Sequence, residues 1–171
     1  QAVSRGLGDV YKRQIQGVID GMRYTRQGQA CTAGSRVYIQ EKIYDKVING
    51  AVEKLSKLKM GNALDEGSDI GAIISEEQLK RTLHYMDIAK QTSSAKVVHG
   101  GNQPTGGDYK NGFFYEPTLM SGVPVDSPVC QEEIFGPVAC AIPFKTFEEV
   151  MQSANDTPFG LSAVLLSLIH I

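Results

Sequence analysis

Stretches with helical period alternate with short runs of strand character along this 171-residue chain, and that alternation constrains its fold more than any other feature. Ile15, Val18, Ile19 and Met22 fall on one helical face, and Gly28 predicts a stop near Gln27-Gly28. Arg36–Gln40 is β-branched and aromatic and reads as a strand. Ile43, Val47, Ala51, Leu55 and Leu58 form a second helical stripe that Gly61 ends, before a Gly- and Asp-rich loop over 61–74. Ser75 and Gln78 have capping-box spacing: Ser75 caps, Gln78 reaches back, and Leu79, Leu83 and Met86 line the helix behind them. Lys96–His99 reads as a strand. After a loop rich in Gly between Gly100 and Gly112, Phe113–Tyr115 reads as another, limited by Pro117. Val138–Phe144 suits a buried strand. Thr146 and Glu149 form a second capping box, for a helix to about Ala154. Asn155–Gly160 is a turn, and Leu161–Leu165 begins one more strand. The expected fold class is α/β, with a largely parallel sheet flanked by helices.

A hydrophobic fraction of 42% and a charged fraction of 21% suit a soluble globular core. The net charge of -2 argues against a nucleic-acid or acidic-membrane partner, and no apolar run is long enough to span a bilayer. No stretch has the order of a secretory signal peptide. Three cysteines, Cys31, Cys130 and Cys140, are an odd number, so the expectation is free thiols in a reducing, cytoplasmic compartment. There is no C-x-x-C, and His84, His99 and His170 are scattered, so no metal site is expected. Neither G-x-G-x-x-G nor a P-loop is present. The two ends, residues 1–14 and 166–171, resemble translated sequencing-adapter read-through. The expected native part is 15–165, truncated on both sides.

Against this background Cys31 stands out, in the run Tyr24-Thr25-Arg26-Gln27-Gly28-Gln29-Ala30-Cys31-Thr32-Ala33-Gly34-Ser35-Arg36. It lies between a helical and a strand-like stretch, where free backbone N–H groups stabilise a thiolate. Small neighbours leave room for a carbonyl to approach, and the Cys31 N–H is a candidate donor to the oxyanion that attack would create. A lone cysteine reads more simply as a small buried hydrophobe, which is the reading for Cys140 in its apolar strand. Cys130 lies in a loop and is assigned no role. Downstream, Gln131-Glu132-Glu133-Ile134-Phe135-Gly136-Pro137-Val138 reads on its own as a polar loop entering a buried strand.

Taken together, the two runs resemble the aldehyde dehydrogenase family: the first its active-site cysteine signature, the second its E-E-I-F-G-P element. Phe114-Tyr115-Glu116-Pro117-Thr118-Leu119 and Asn155-Asp156-Thr157-Pro158-Phe159-Gly160-Leu161-Ser162-Ala163 are similar to two further family segments, so the resemblance covers essentially all of residues 15–165. It implies that Cys31 is the nucleophile, that Glu133 accepts hydrogen bonds from the nicotinamide ribose, and that Phe135 packs beside the nicotinamide. Gln78 and Arg81 align with helix positions that contact the cofactor's ribose in some members, although Arg81 stands where Lys is commoner. The implied cofactor is NAD or NADP, the partner a small-molecule aldehyde, and the parent a homodimer or homotetramer. The implied chemistry runs through a thiohemiacetal and a thioester to a carboxylic acid. The family's general-base Glu and oxyanion Asn belong to segments before Ile15, so the chain is expected to be inactive alone. Two alternatives remain: a thiol hydrolase or acyltransferase pairing Cys31 with His84 or His99, and a non-catalytic domain of the same fold. A CoA-acylating member of the family is a further possibility.

Overall fold

The computed structural model describes residues 7–166. Nine regular elements follow in order: α1 (Leu7–Gly21), β1 (Arg36–Gln40), α2 (Tyr44–Leu55), α3 (Glu76–Gln91), β2 (Lys96–His99), β3 (Thr118–Ser121), α4 (Pro128–Gln131), β4 (Val138–Phe144) and α5 (Phe147–Asn155). The four strands form one sheet in the order β1-β4-β3-β2. β4 pairs in parallel with β1 (Arg36 beside Cys140) and with β3 (Thr118 beside Val138), whereas β2 closes the edge antiparallel to β3. The sheet is therefore mostly parallel, as the alternation predicts.

Side-chain alternation along the central strand sorts the core into two layers. Val138, Cys140 and Ile142 of β4 and Met120 of β3 pack with Leu79, Tyr85, Met86 and Ala89 of α3 and with Val129 and Cys130 of α4. Ala139 and Ala141 of β4 and Leu119 of β3 face the other way. They meet Val18, Ile19 and Met22 of α1 and Val47, Ile48, Ala51 and Leu55 of α2. A strand covered on both faces has no polar side, which is why Val138–Ile142 is uninterruptedly apolar. Each fully buried side chain of this size, such as Leu55 or Met86, contributes about 1.5–3 kcal/mol.

Several boundaries differ from the sequence expectation. The first helix ends at Gly21, because Arg23 turns left-handed (φ 57°) and starts a short 3-10 turn over Tyr24–Arg26. The same helix starts at Leu7, upstream of the periodic residues, so 7–14 are helical. Residues 1–6 and 167–171 of the adapter-like ends lie outside the described residues. Phe113–Tyr115 is not a strand. Its backbone makes isolated cross-links instead, with Phe113 O accepting from Ile73 N, and pairing starts after Pro117, where Thr118 N donates to Pro137 O. Leu161–Leu165 is not a strand either: these residues are exposed, and among the described residues no strand pairs with them. Both capping boxes form by half. Ser75 and Thr146 accept from Gln78 N and Glu149 N. The Gln78 side chain, however, turns elsewhere, and Glu149 Oε2 accepts from Lys145 N. Where the sequence reads as a loop around Cys130, the structure has α4, which Ser127 caps and Pro128 opens.

Candidate active site

β1 and β4 are parallel neighbours, so the segments leading into them emerge at the same end of the sheet. The first is the Cys31 run and the second is Gln131–Pro137, which brings residues about a hundred positions apart to one cleft. Met22, Gly28, Cys31, Glu133, Phe135 and Gly136 are among its lining residues.

The Cys31 loop is tied down at several points. Tyr24 is fully buried and its hydroxyl donates to Thr118 O (2.8 Å), pinning the loop's start to β3. Burial raises the Tyr24 phenol well above the usual tyrosine range, so it stays a donor. Gly34 N donates to Gly21 O (2.8 Å), and Cys140 N to Ser35 O (2.8 Å), which fixes the loop's exit. The Gln29 side chain accepts from Ile74 N (3.0 Å). Between these anchors Cys31 is exposed, and among the described residues neither its N–H nor that of Thr32 meets an acceptor. A free thiol beside two unclaimed donors can attack a carbonyl and stabilise the resulting oxyanion.

Glycine is required where the two loops touch. Gly28 is left-handed (φ 65°), and a Cβ there would overlap the Gly136 carbonyl; a Cβ on Gly136 would overlap Thr82 Oγ1 of α3. The cysteine loop thus rests on the second loop, and the second loop on α3.

Phe135 is also left-handed (φ 56°), a conformation that costs a non-glycine residue about 1–3 kcal/mol. The Gln78 amide offsets that cost by donating to both Ile134 O and Phe135 O (2.8 Å each), at about 0.5–1.5 kcal/mol apiece. Arg81 donates through Nε to Glu133 O (3.0 Å), and again through Nη2. Tyr85, one turn further along α3, donates its hydroxyl to Glu132 Oε2 (2.6 Å). Burial, and then this bond, push its phenol up. Glu133 is exposed, and among the described residues its carboxylate meets no donor.

Of the sequence-predicted site residues, Cys31, Glu133 and Phe135 line one cleft, while Gln78 and Arg81 contact the loop backbone. Tyr85 and Glu132 were missed, although Gln78, Arg81 and Tyr85 share one helical face at i, i+3 and i+7. The other two thiols are buried, with Cys140 pushed up by its contact with Cys130 and by burial. Among the described residues no imidazole lines the cleft; His84 is exposed on α3, edge-on to Tyr85, and His99 lies on β2.

An exposed thiol and an exposed carboxylate in one cleft, at one end of a mostly parallel sheet, define an α/β domain with a candidate nucleophile. The chain belongs to the aldehyde dehydrogenase family, whose pattern matches residues 8–168. It is 42% identical over 146 residues to the D-glyceraldehyde dehydrogenase (NADP(+)) of Picrophilus torridus, covering 85% of this chain and 29% of that protein. It is 39% identical over 149 residues to the betaine aldehyde dehydrogenase of Mesorhizobium japonicum, covering 87% and 30%. Among solved structures, the betaine aldehyde dehydrogenase of Staphylococcus aureus in complex with NAD+ superposes with a TM-score of 0.84 at 35% identity, over 88% of this chain and 30% of that one. The chain therefore spans about 30% of the length of the relatives it matches.

Proposed function

We propose that this chain carries the nucleophile and part of the nicotinamide site of an NAD(P)-dependent aldehyde dehydrogenase, with Cys31 as the nucleophile. The observation that carries the reading is the shared cleft of Cys31, Glu133 and Phe135. The residues fit the cofactor: Glu133 has a carboxylate with no protein partner, suited to accept from a vicinal diol, and Phe135 is held in a fixed conformation beside it. When bound, the nicotinamide supplies the hydride acceptor. The Cys31 thiolate adds to the aldehyde carbon to give a thiohemiacetal, with the N–H groups of Cys31 and Thr32 available to the oxyanion. Oxidation yields a Cys31 thioester, which water cleaves to the carboxylic acid. Among the described residues that line the cleft Glu133 is the one carboxylate and is assigned to the cofactor; the reading places the base that activates water in a part of the parent enzyme outside this chain, as the family resemblance implies. Both NAD+ and NADP+ occur among the relatives, in the staphylococcal complex and the Picrophilus enzyme respectively, so the reading takes NAD or NADP.

The aldehyde is a small molecule, the native part is residues 15–165, and the parent is a homodimer or homotetramer. Among the described residues no helix is long and apolar enough to cross a membrane, and all three thiols are free; a cytoplasmic setting suits both observations. The test is aldehyde-dependent formation of NADH or NADPH by the longer reading frame that contains this chain, with Cys31→Ala as control. Turnover should vanish in the variant; activity that survives it overturns the assignment of Cys31. Robust turnover by the 171-residue chain itself would refute the claim that the base lies outside it.

A further inference from the structure

The twin glutamates of the second loop are equivalent in sequence but not in the structure. Glu132 is engaged by Tyr85, whose ring lies under the Arg81 guanidinium (5.3 Å) and whose hydroxyl accepts from Arg81 Nη2 (3.2 Å). The Glu133 backbone carbonyl is held by Arg81, while its carboxylate is left without a donor among the described residues. One turn earlier on α3, Gln78 uses its whole NH2 group on the two carbonyls that flank the left-handed Phe135. An NH2 group with both protons committed has no donor left for a ligand.

We infer that Gln78, Arg81 and Tyr85 are positioning residues: they clamp the Glu132–Phe135 backbone and draw Glu132 onto α3, so that Glu133 alone presents a free carboxylate beside Cys31. Gln78 Oε1 is left to accept, so the clamp stands beside the ribose contact that the resemblance implies. The assignment rests on the aldehyde dehydrogenase reading for what Glu133 and Phe135 bind, but the clamp itself is independent of that reading. α3 is anchored in the core through Leu79, Met86 and Ala89, so the clamp transmits the rigidity of the core to an otherwise exposed loop.

The test is 15N relaxation on the whole 171-residue chain, as wild type, Gln78→Met, Tyr85→Phe, Glu132→Ala and Glu132→Gln. In wild type the backbone order parameters of Glu133, Ile134, Phe135 and Gly136 should lie near the rigid value of about 0.85. In Gln78→Met they should fall below about 0.6, with smaller losses in Tyr85→Phe and Glu132→Ala. Glu132→Gln keeps an acceptor for Tyr85 and should restore the wild-type values. The β4 amides should not change in any variant, which separates positioning from general loss of structure. Unchanged loop values in both Gln78→Met and Glu132→Ala would overturn the clamp. Should Gln78→Met fail to fold, the exposed Glu132 pair of variants decides alone. A parallel titration with millimolar NAD+ tests the reading beneath it: shifts at Phe135 should vanish in Glu133→Gln and persist in Glu132→Gln. Equal loss in both would overturn the division of labour between the glutamates. Shifts at Phe135 that persist in Glu133→Gln, with the loop still loosened by the clamp variants, would count against the cofactor reading and leave the clamp standing.

Discussion

Three cysteines occupy three different environments, and their reactivity should differ accordingly. Cys31 is exposed at a loop, whereas Cys130 and Cys140 touch one another inside the α3-side core. Iodoacetamide should therefore modify one thiol per native chain, at Cys31, with the other two labelled only after unfolding; peptide mass spectrometry would locate the adduct. A Cys31 no more reactive than the buried pair would favour the non-catalytic reading. Gly28 makes a second residue-scale prediction. Gly28→Ala forces a side chain into a left-handed conformation and against the Gly136 carbonyl, so it should destabilise the fold by about 2 kcal/mol or more in urea unfolding. A loss below about 0.5 kcal/mol would show that the two loops are not in contact. Neither His84 nor His99 is among the residues that line the cleft with Cys31, so no observation favours the thiol–histidine alternative.

The pin between the cysteine loop and β3 is a single buried hydroxyl, and it gives the fold a pH dependence. Tyr24→Phe removes the donor to Thr118 O and leaves a buried carbonyl less satisfied, costing about 1–3 kcal/mol of unfolding free energy. Burial holds the folded-state pKa of Tyr24 above its unfolded value of about 10. A raised phenol contributes stability that is fully present below pH about 10 and is lost as pH rises toward the folded value, at up to about 1.4 kcal/mol per pH unit. Urea midpoints measured from pH 8 to pH 11 should fall at the alkaline end, and less steeply in Tyr24→Phe. A variant with the same alkaline slope as wild type would remove Tyr24 from the account. Tyr38, Tyr44, Tyr85 and Tyr115, all raised chiefly by burial, supply the remaining slope.

At the scale of the whole molecule, several large apolar side chains toward the C-terminal end are exposed: Phe147 and Met151 of α5, and Phe159, Leu161, Val164 and Leu165 beyond it. Exposed apolar side chains in this number drive association, so the isolated chain should self-associate in sedimentation, and Phe159→Ser with Leu161→Ser should weaken that. A monomer at every concentration reached would contradict this. The same scale shows what was legible in advance. β1 and β4 were read to the residue, because β-branched and apolar runs bounded by turns leave little freedom. The two N-caps were also read, because their signals lie within four residues of chain. Cys31 and the second loop were recognisable because each is a contiguous run. The failures were non-local. Leu161–Leu165 has strand composition but no neighbour to pair with among the described residues, and Gln78 has capping-box spacing but finds two carbonyls that an intact box would have left unpaired. The sequence by itself determined the periods, the caps and the thiol's small-residue surroundings, since local sterics and hydrogen bonding settle these within a turn or two. Only the tertiary structure decided which glutamate stays free and which glycines must be glycine. The first depends on α3 packing against the second loop and the second also on parallel pairing of β1 with β4, contacts that no local signal encodes.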